Sequence, residues 1–245
     1  MTQLKTGFYY VFSGFKLIFK PGIRIYVVIP LFINTILFTV VIIYGAESLS
    51  DLINSLSAQW HWLEWLKWLL WPLFVIVALT IVFFCFSIIA NLIGAPFNGF
   101  LAEAVERKIT GKEVDSSNGD QALLKEITMA FKSEFQKLLY FMVRAIPLLI
   151  LFIIPMVNVA APIIWFLFSA WMLVIEYMDY PMGNHNILFV DQRKKLSANK
   201  QLAFGFGIGV MLLTLIPVIN FLVMPVAVAG ATRMFIEQAN MNSPV

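Results

Sequence analysis

Charged residues are absent from four long stretches: Ile25–Ala46 (22 residues), Trp68–Ala102 (35), Ala145–Ile175 (31) and Gln201–Thr232 (32), together 120 of 245 residues. Half the chain is therefore suited to hydrocarbon. As a helix, the segment 25–45 would rise roughly 31 Å at 1.5 Å per residue, which matches a hydrocarbon core of about 30 Å and predicts a full crossing. The second stretch predicts another crossing over 68–97, entered through an interfacial belt of Trp60, Trp62, Trp65, Trp68 and Trp71 and bending at Gly94–Gly99.

Prolines interrupt the other two stretches. Pro147, Pro155 and Pro162 divide the third, and Pro217 and Pro225 the fourth, leaving half-helices of about 10 to 15 residues that reach only about 15 to 22 Å. Segments 145–175 and 202–232 therefore predict re-entrant helical hairpins. An internal repeat supports the pairing: Ile154-Pro155-Met156-Val157-Asn158 before Pro162 recurs as Ile216-Pro217-Val218-Ile219-Asn220 before Pro225. Non-helical backbone at membrane depth is stable only inside protein or beside water, so such tips imply burial or a wet cavity.

Two segments alternate apolar and charged positions with helical period. Phe8, Val11, Phe12, Phe15, Ile18 and Phe19 predict an interfacial helix over 7–20 flanked by lysines. Leu123, Leu124, Ile127, Phe131, Phe135, Leu138, Leu139 and Met142 predict an amphipathic helix over 121–143, preceded by a polar loop from Thr110 to Asp120. The expected architecture is an all-α integral membrane protein forming one membrane domain, 1–245. It has two full transmembrane helices, two re-entrant hairpins and amphipathic interfacial helices. Lys5, Lys16, Lys20 and Arg24 place the amino terminus in the cytoplasm by the positive-inside rule. Lys16 and Lys20 also interrupt the early apolar residues, so no cleaved leader is expected.

Composition sharpens this picture mainly by exclusion. The chain is 60% hydrophobic and 13% charged, with a net charge of +3, too small a basic excess to argue for nucleic acid. The lone Cys85 precludes an intrachain disulfide, and His61 and His185 are too far apart in sequence for metal spacing, so neither metal nor cofactor is expected. No phosphate-binding Gly-x-x-x-x-Gly-Lys loop and no Gly-x-Ser-x-Gly or His-Glu-x-x-His motif occurs, so no enzymatic activity is expected. Asp179 and His185 are the only pair that suggests an acid and base, the alternative of a membrane scaffold or hydrolase.

A pathway for a polar solute remains. Pro21-Gly22-Ile23-Arg24 opens the first crossing, where a helix amino terminus offers N–H groups, glycine allows close approach and arginine supplies a two-pronged donor. That set suits a tetrahedral oxyanion, and equally a snorkelling anchor. Asn34, Asn91, Asn98, Glu103, Glu106 and Arg107, within or beside the apolar runs, suit either a polar pathway or helix–helix bonding. Two crossings and two half-depth hairpins offer little wall, so a homo-oligomer is expected to complete the route within the lipid bilayer.

Six ordered motifs carry a resemblance: Gly7-Phe-Tyr-Tyr10, Pro21-Gly-Ile-Arg24, Ala95-Pro-Phe-Asn-Gly99, Trp165–Leu173, Asp179-Tyr-Pro181 and Met224–Val228. Together they resemble the CysZ family of bacterial sulfate permeases over nearly the whole chain. The resemblance implies an inner-membrane protein that supplies sulfate for cysteine biosynthesis, assembles as an oligomer and binds sulfate at Gly22, Ile23 and Arg24. Some relatives carry a second arginine where this chain has Ile25, which implies a weaker anion contact here. A channel for another oxyanion is the alternative.

Overall fold

The computed structural model describes the backbone of residues 3–59, 67–112 and 120–242; the side chains of 38, 49, 52–53, 56–59, 67, 70, 74, 78–96, 120–131, 217–218, 221 and 240–242 lie outside the description. Trp60, Trp62 and Trp65, His61, Cys85 and most of the polar loop expected at Thr110–Asp120 thus fall outside the residues or side chains described. Among the described residues the elements are all α-helical: α1 (Gln3–Ile18), α2 (Ile25–Gln59), α3 (Lys67–Thr110), α4 (Asp120–Leu151), α5 (Ala161–Gly183), α6 (Phe189–Ala198), α7 (Lys200–Thr214) and α8 (Pro217–Asn242). They form two compact units. One joins Met1–Arg24 to Asn98–Val245; the other is Ile25–Phe97.

Two described helices are long and apolar enough to cross a membrane, Ile25–Ser48 and Ala161–Gly183, so this is a membrane protein. The bent pair α6 and α7, which meet at 105°, would add a third span if counted as one. The first span is the one expected over 25–45. Over 68–97 the backbone is helical, and the helix continues through Gly94–Gly99 to Thr110.

The proline-cut stretches differ from expectation in where their helices end. Pro147 sits inside α4, which therefore joins the expected amphipathic helix and the first arm of the third stretch into one helix. Pro162 instead starts α5, a position where a missing N–H costs nothing. α5 then runs past Ile175 to Gly183, and its 23 residues rise about 34 Å. Pro217 begins α8, which continues through Pro225 to Asn242. Both copies of the motif close the same hydrogen bond, Asn158 N–H to the Ile154 carbonyl at 3.0 Å and Asn220 N–H to the Ile216 carbonyl at 2.9 Å, but the first is a non-helical turn with Met156 at a φ of 68° and the second is the first turn of α8.

Within the larger unit, α1 packs on α7 and α8, and α5 packs on the same two helices. Small residues set that closeness. A Cβ at Gly14 would collide with the Val226 carbonyl, and one at Gly207 with the Ala170 carbonyl. Val11, Leu17 and Ile18 of α1 are buried, while Tyr9, Phe12 and Phe19 are exposed. α4 lies antiparallel to α5, as successive contacts show: Lys137 with Asp179, Tyr140 with Trp171, Phe141 with Phe168 and Phe152 with Trp165.

Candidate functional site

Between α1 and α2 the chain turns at Gly22, whose φ of 87° is accessible at little cost only without a side chain. The Lys20 carbonyl accepts hydrogen bonds from the N–H groups of Ile23 (3.1 Å) and Arg24 (3.2 Å), which tightens the turn. Two of the amides expected to face an anion are thereby engaged. Pro21, Gly22 and Ile23 form one wall of a cleft of about 240 Å³, and Ala104, Arg107 and Lys108 form the other. Ile23 is buried, and Arg24 is exposed and outside the cleft lining.

The cleft is thus walled by a glycine turn opposite two cations. Arg107 and Lys108 belong to the last turn of α3, where the exposed carbonyl end of the helix favours positive charge. Among the described residues neither has a carboxylate within ion-pairing distance, so both remain available to a soluble anion.

The other expected pathway residues separate into distinct environments. Asn98 and Glu106 are buried, Glu103 is half-buried and Arg107 is exposed toward the cleft. Glu106 Oε1 and Oε2 lie 2.9 and 3.0 Å from His185 Nε2, and Asn184 Nδ2 donates to the Gly99 carbonyl at 3.3 Å. The end of α3 is therefore held against the turn after α5. Asn98 is buried beside Tyr180, whose hydroxyl its side chain can meet by a hydrogen bond. Asn34, in α2, has a buried Oδ1 without a partner; Asn91 lies in α3 with its side chain outside the description.

Asp179 and His185 have separate partners. His185 pairs with Glu106 and lies 5.2 Å from the Phe235 ring, whereas Asp179 accepts from Lys137 at 3.1 Å. Lys137 is the centre of a cluster that sequence reasoning missed. Its ammonium also meets Glu134 at 2.7 Å and Glu176 at 3.2 Å. Burial opposes the charge of Lys137, but the carboxylates of Asp179, Glu176 and Glu134 outweigh it and hold its pKa above the ordinary lysine value. The only local signal was Glu134 three residues earlier; the other two partners arrive from α5.

Comparison with known proteins adds an independent line. The family described as sulfate transporter CysZ/etoposide-induced protein 2.4 matches residues 10–225. A protein of Pectobacterium atrosepticum named sulfate transporter CysZ is 43% identical over 236 residues, covering 96% of this chain and 86% of the relative. A protein of the same name from Vibrio parahaemolyticus is 43% identical over 238 residues, covering 96% of each chain.

Proposed function

This chain belongs to the sulfate transporter CysZ/etoposide-induced protein 2.4 family, and from that premise we propose that it is a sulfate permease of the bacterial inner membrane. It admits sulfate for assimilation into cysteine and carries out no covalent chemistry. The observation that supports this reading is the cleft that sets Gly22 opposite Arg107 and Lys108. Sulfate is a tetrahedral dianion, and a glycine wall lets it approach backbone while a guanidinium supplies parallel donors. Arg24, exposed beside the turn, draws the anion toward the mouth; Arg107 and Lys108 hold it.

From this entry the proposed polar route passes Glu103, Glu106 and Asn98. Two hairpins, over 145–175 and 202–232, and a second copy of the chain complete its wall. Uptake of radiolabelled sulfate into proteoliposomes tests the proposal, and flux no greater than in empty liposomes would overturn it. Isothermal titration locates the site. Arg107→Ala should weaken sulfate binding by about 1.5 to 3 kcal/mol, or roughly ten- to a hundredfold, because one charge-assisted donor is lost. Arg24→Ala should weaken it less. Unchanged affinity in both folded variants would move the site elsewhere.

A further inference from the structure

We propose that Arg144 and Arg193, gathered on the ring of Tyr140, bind the phosphodiester headgroup of an anionic phospholipid. The Arg144 guanidinium lies 3.6 Å from the Tyr140 ring centroid, and that of Arg193 lies 5.3 Å from the same centroid. Arg193 also lies 5.9 Å from the Phe189 ring. The platform itself is fixed: Trp171 Nε1 donates to the Tyr140 hydroxyl at 2.9 Å, and Phe189 meets the Tyr140 ring edge-on at 5.4 Å.

Two like charges held on one ring repel each other, and the ring's electron-rich face offsets only part of that cost. Three other basic side chains of this unit are matched: Lys137 by three carboxylates, Lys194 by Asp191 and Arg233 by Glu237. Among the described residues Arg144 and Arg193 have no such carboxylate. A phosphodiester presents a negative charge and several acceptor oxygens, which complements a pair of guanidinium forks.

The surroundings select a lipid over a free anion. Around Tyr140 and Arg144 on α4, Leu139, Val143 and Ile146 are at least half exposed. These aliphatic side chains would lie along acyl chains while the arginines meet the headgroup, the arrangement expected where Tyr and Arg sit at a membrane interface. The site involves neither the cleft residues nor the Glu106–His185 contact, so it stands apart from the sulfate reading.

Native mass spectrometry of the full-length protein, offered phosphatidylglycerol and phosphatidylcholine together, tests this. The wild type should retain phosphatidylglycerol over phosphatidylcholine by about tenfold, and the double variant Arg144→Gln, Arg193→Gln should lose that preference. Tyr140→Leu should also reduce it, because the platform is gone, while sulfate titration stays unchanged in both variants. Free glycerol phosphate should fail to displace the retained lipid. Absence of preference in the wild type, a preference that survives in the folded double variant, or displacement by the free headgroup would each overturn the proposal. If the double variant does not fold, the wild-type preference and the competition decide.

Discussion

The two candidate spans solve the same problem in opposite ways. Ile25–Ser48 of α2 has a mean hydropathy of 2.5 and only 6% of its most apolar window is buried in protein; for Ala161–Gly183 of α5 the values are 1.6 and 39%. Two threonines of α2 are satisfied within the helix, as Thr35 and Thr39 donate to the carbonyls four residues earlier at 2.8 Å. Those in α5 find tertiary partners, Trp171 with Tyr140 and both Glu176 and Asp179 with Lys137. A helix facing outward in every direction must be apolar throughout, whereas one seated on neighbours can carry charge where a partner is fixed. Substitutions in α5 and its contacts should therefore disturb the larger unit's fold, and those in α2 should leave it intact.

The largest effect is expected where α7 meets α5. Gly207 faces the Ala170 carbonyl and the Val174 side chain, and a Cβ there would overlap backbone that cannot rotate away. Gly207→Val should cost about 3 kcal/mol or more, at the upper end for overpacking, and abolish a monodisperse peak in size-exclusion chromatography. Preserved folding would show that α5 and α7 are not in register-fixed contact.

Lys137→Met comes next. It leaves Asp179, Glu176 and Glu134 without their shared cation, but side-chain exposures of 27%, 48% and 58% let water screen much of the repulsion. A loss of about 1 to 3 kcal/mol in thermal unfolding follows. Because the folded-state pKa of Lys137 is raised, the stabilisation is fully present below the unfolded lysine value of about 10.4 and is lost only as pH rises through the higher folded value. The titration of Lys137 itself should thus lower stability only in strong alkali. A loss of this contribution near pH 7 would show that another group governs the cluster.

This cluster also marks what the sequence could not disclose. The uncharged run ended at Ile175 because Glu176 follows, so α5 looked shorter than it is, yet Lys137 from α4 makes both acidic residues of its last turns tolerable. Proline was equally ambiguous. Pro162 and Pro217 sit at helix starts, as their fixed φ favours. Pro147 and Pro225 stand inside helices, where the lost hydrogen bond must be offset by surroundings the chain order does not reveal. At the cleft, the Pro21–Gly22 turn and its oxyanion chemistry were legible locally. That Arg107 faces this turn, and that Lys108 joins it, depends on packing between segments more than 80 residues apart. The Ile-Pro-x-x-Asn repeat was visible locally, but not that its first copy turns the chain at Met156 while its second starts α8.

A smaller change should follow from Trp171→Phe. It removes the hydrogen bond to Tyr140 while keeping most of the ring volume and the tilted contact of this side chain with Phe204. The expected cost is about 1 kcal/mol, the net value of one side-chain hydrogen bond. A larger loss in thermal unfolding would mean that the Tyr140 platform supports more of the α4–α5 contact than this bond alone.

The smallest effect is expected at Gly45 in α2, and its sign separates the two spans most sharply. Among the described residues nothing approaches within 4 Å of the position a Cβ would occupy, in contrast with the crowded site at Gly207. Alanine restricts the chain less severely on helix formation than glycine does, an advantage of roughly 0.5 to 1 kcal/mol in a helix interior. In a membrane-inserted segment, where backbone groups must stay bonded within the helix, part of that advantage should already be supplied by the surroundings. Gly45→Ala should therefore leave thermal stability unchanged or raise it slightly, with normal expression and sulfate uptake. A clear loss would mean that this face of α2 meets another chain closely, and in that case chemical crosslinking of the wild type should trap the contact and the variant should release it.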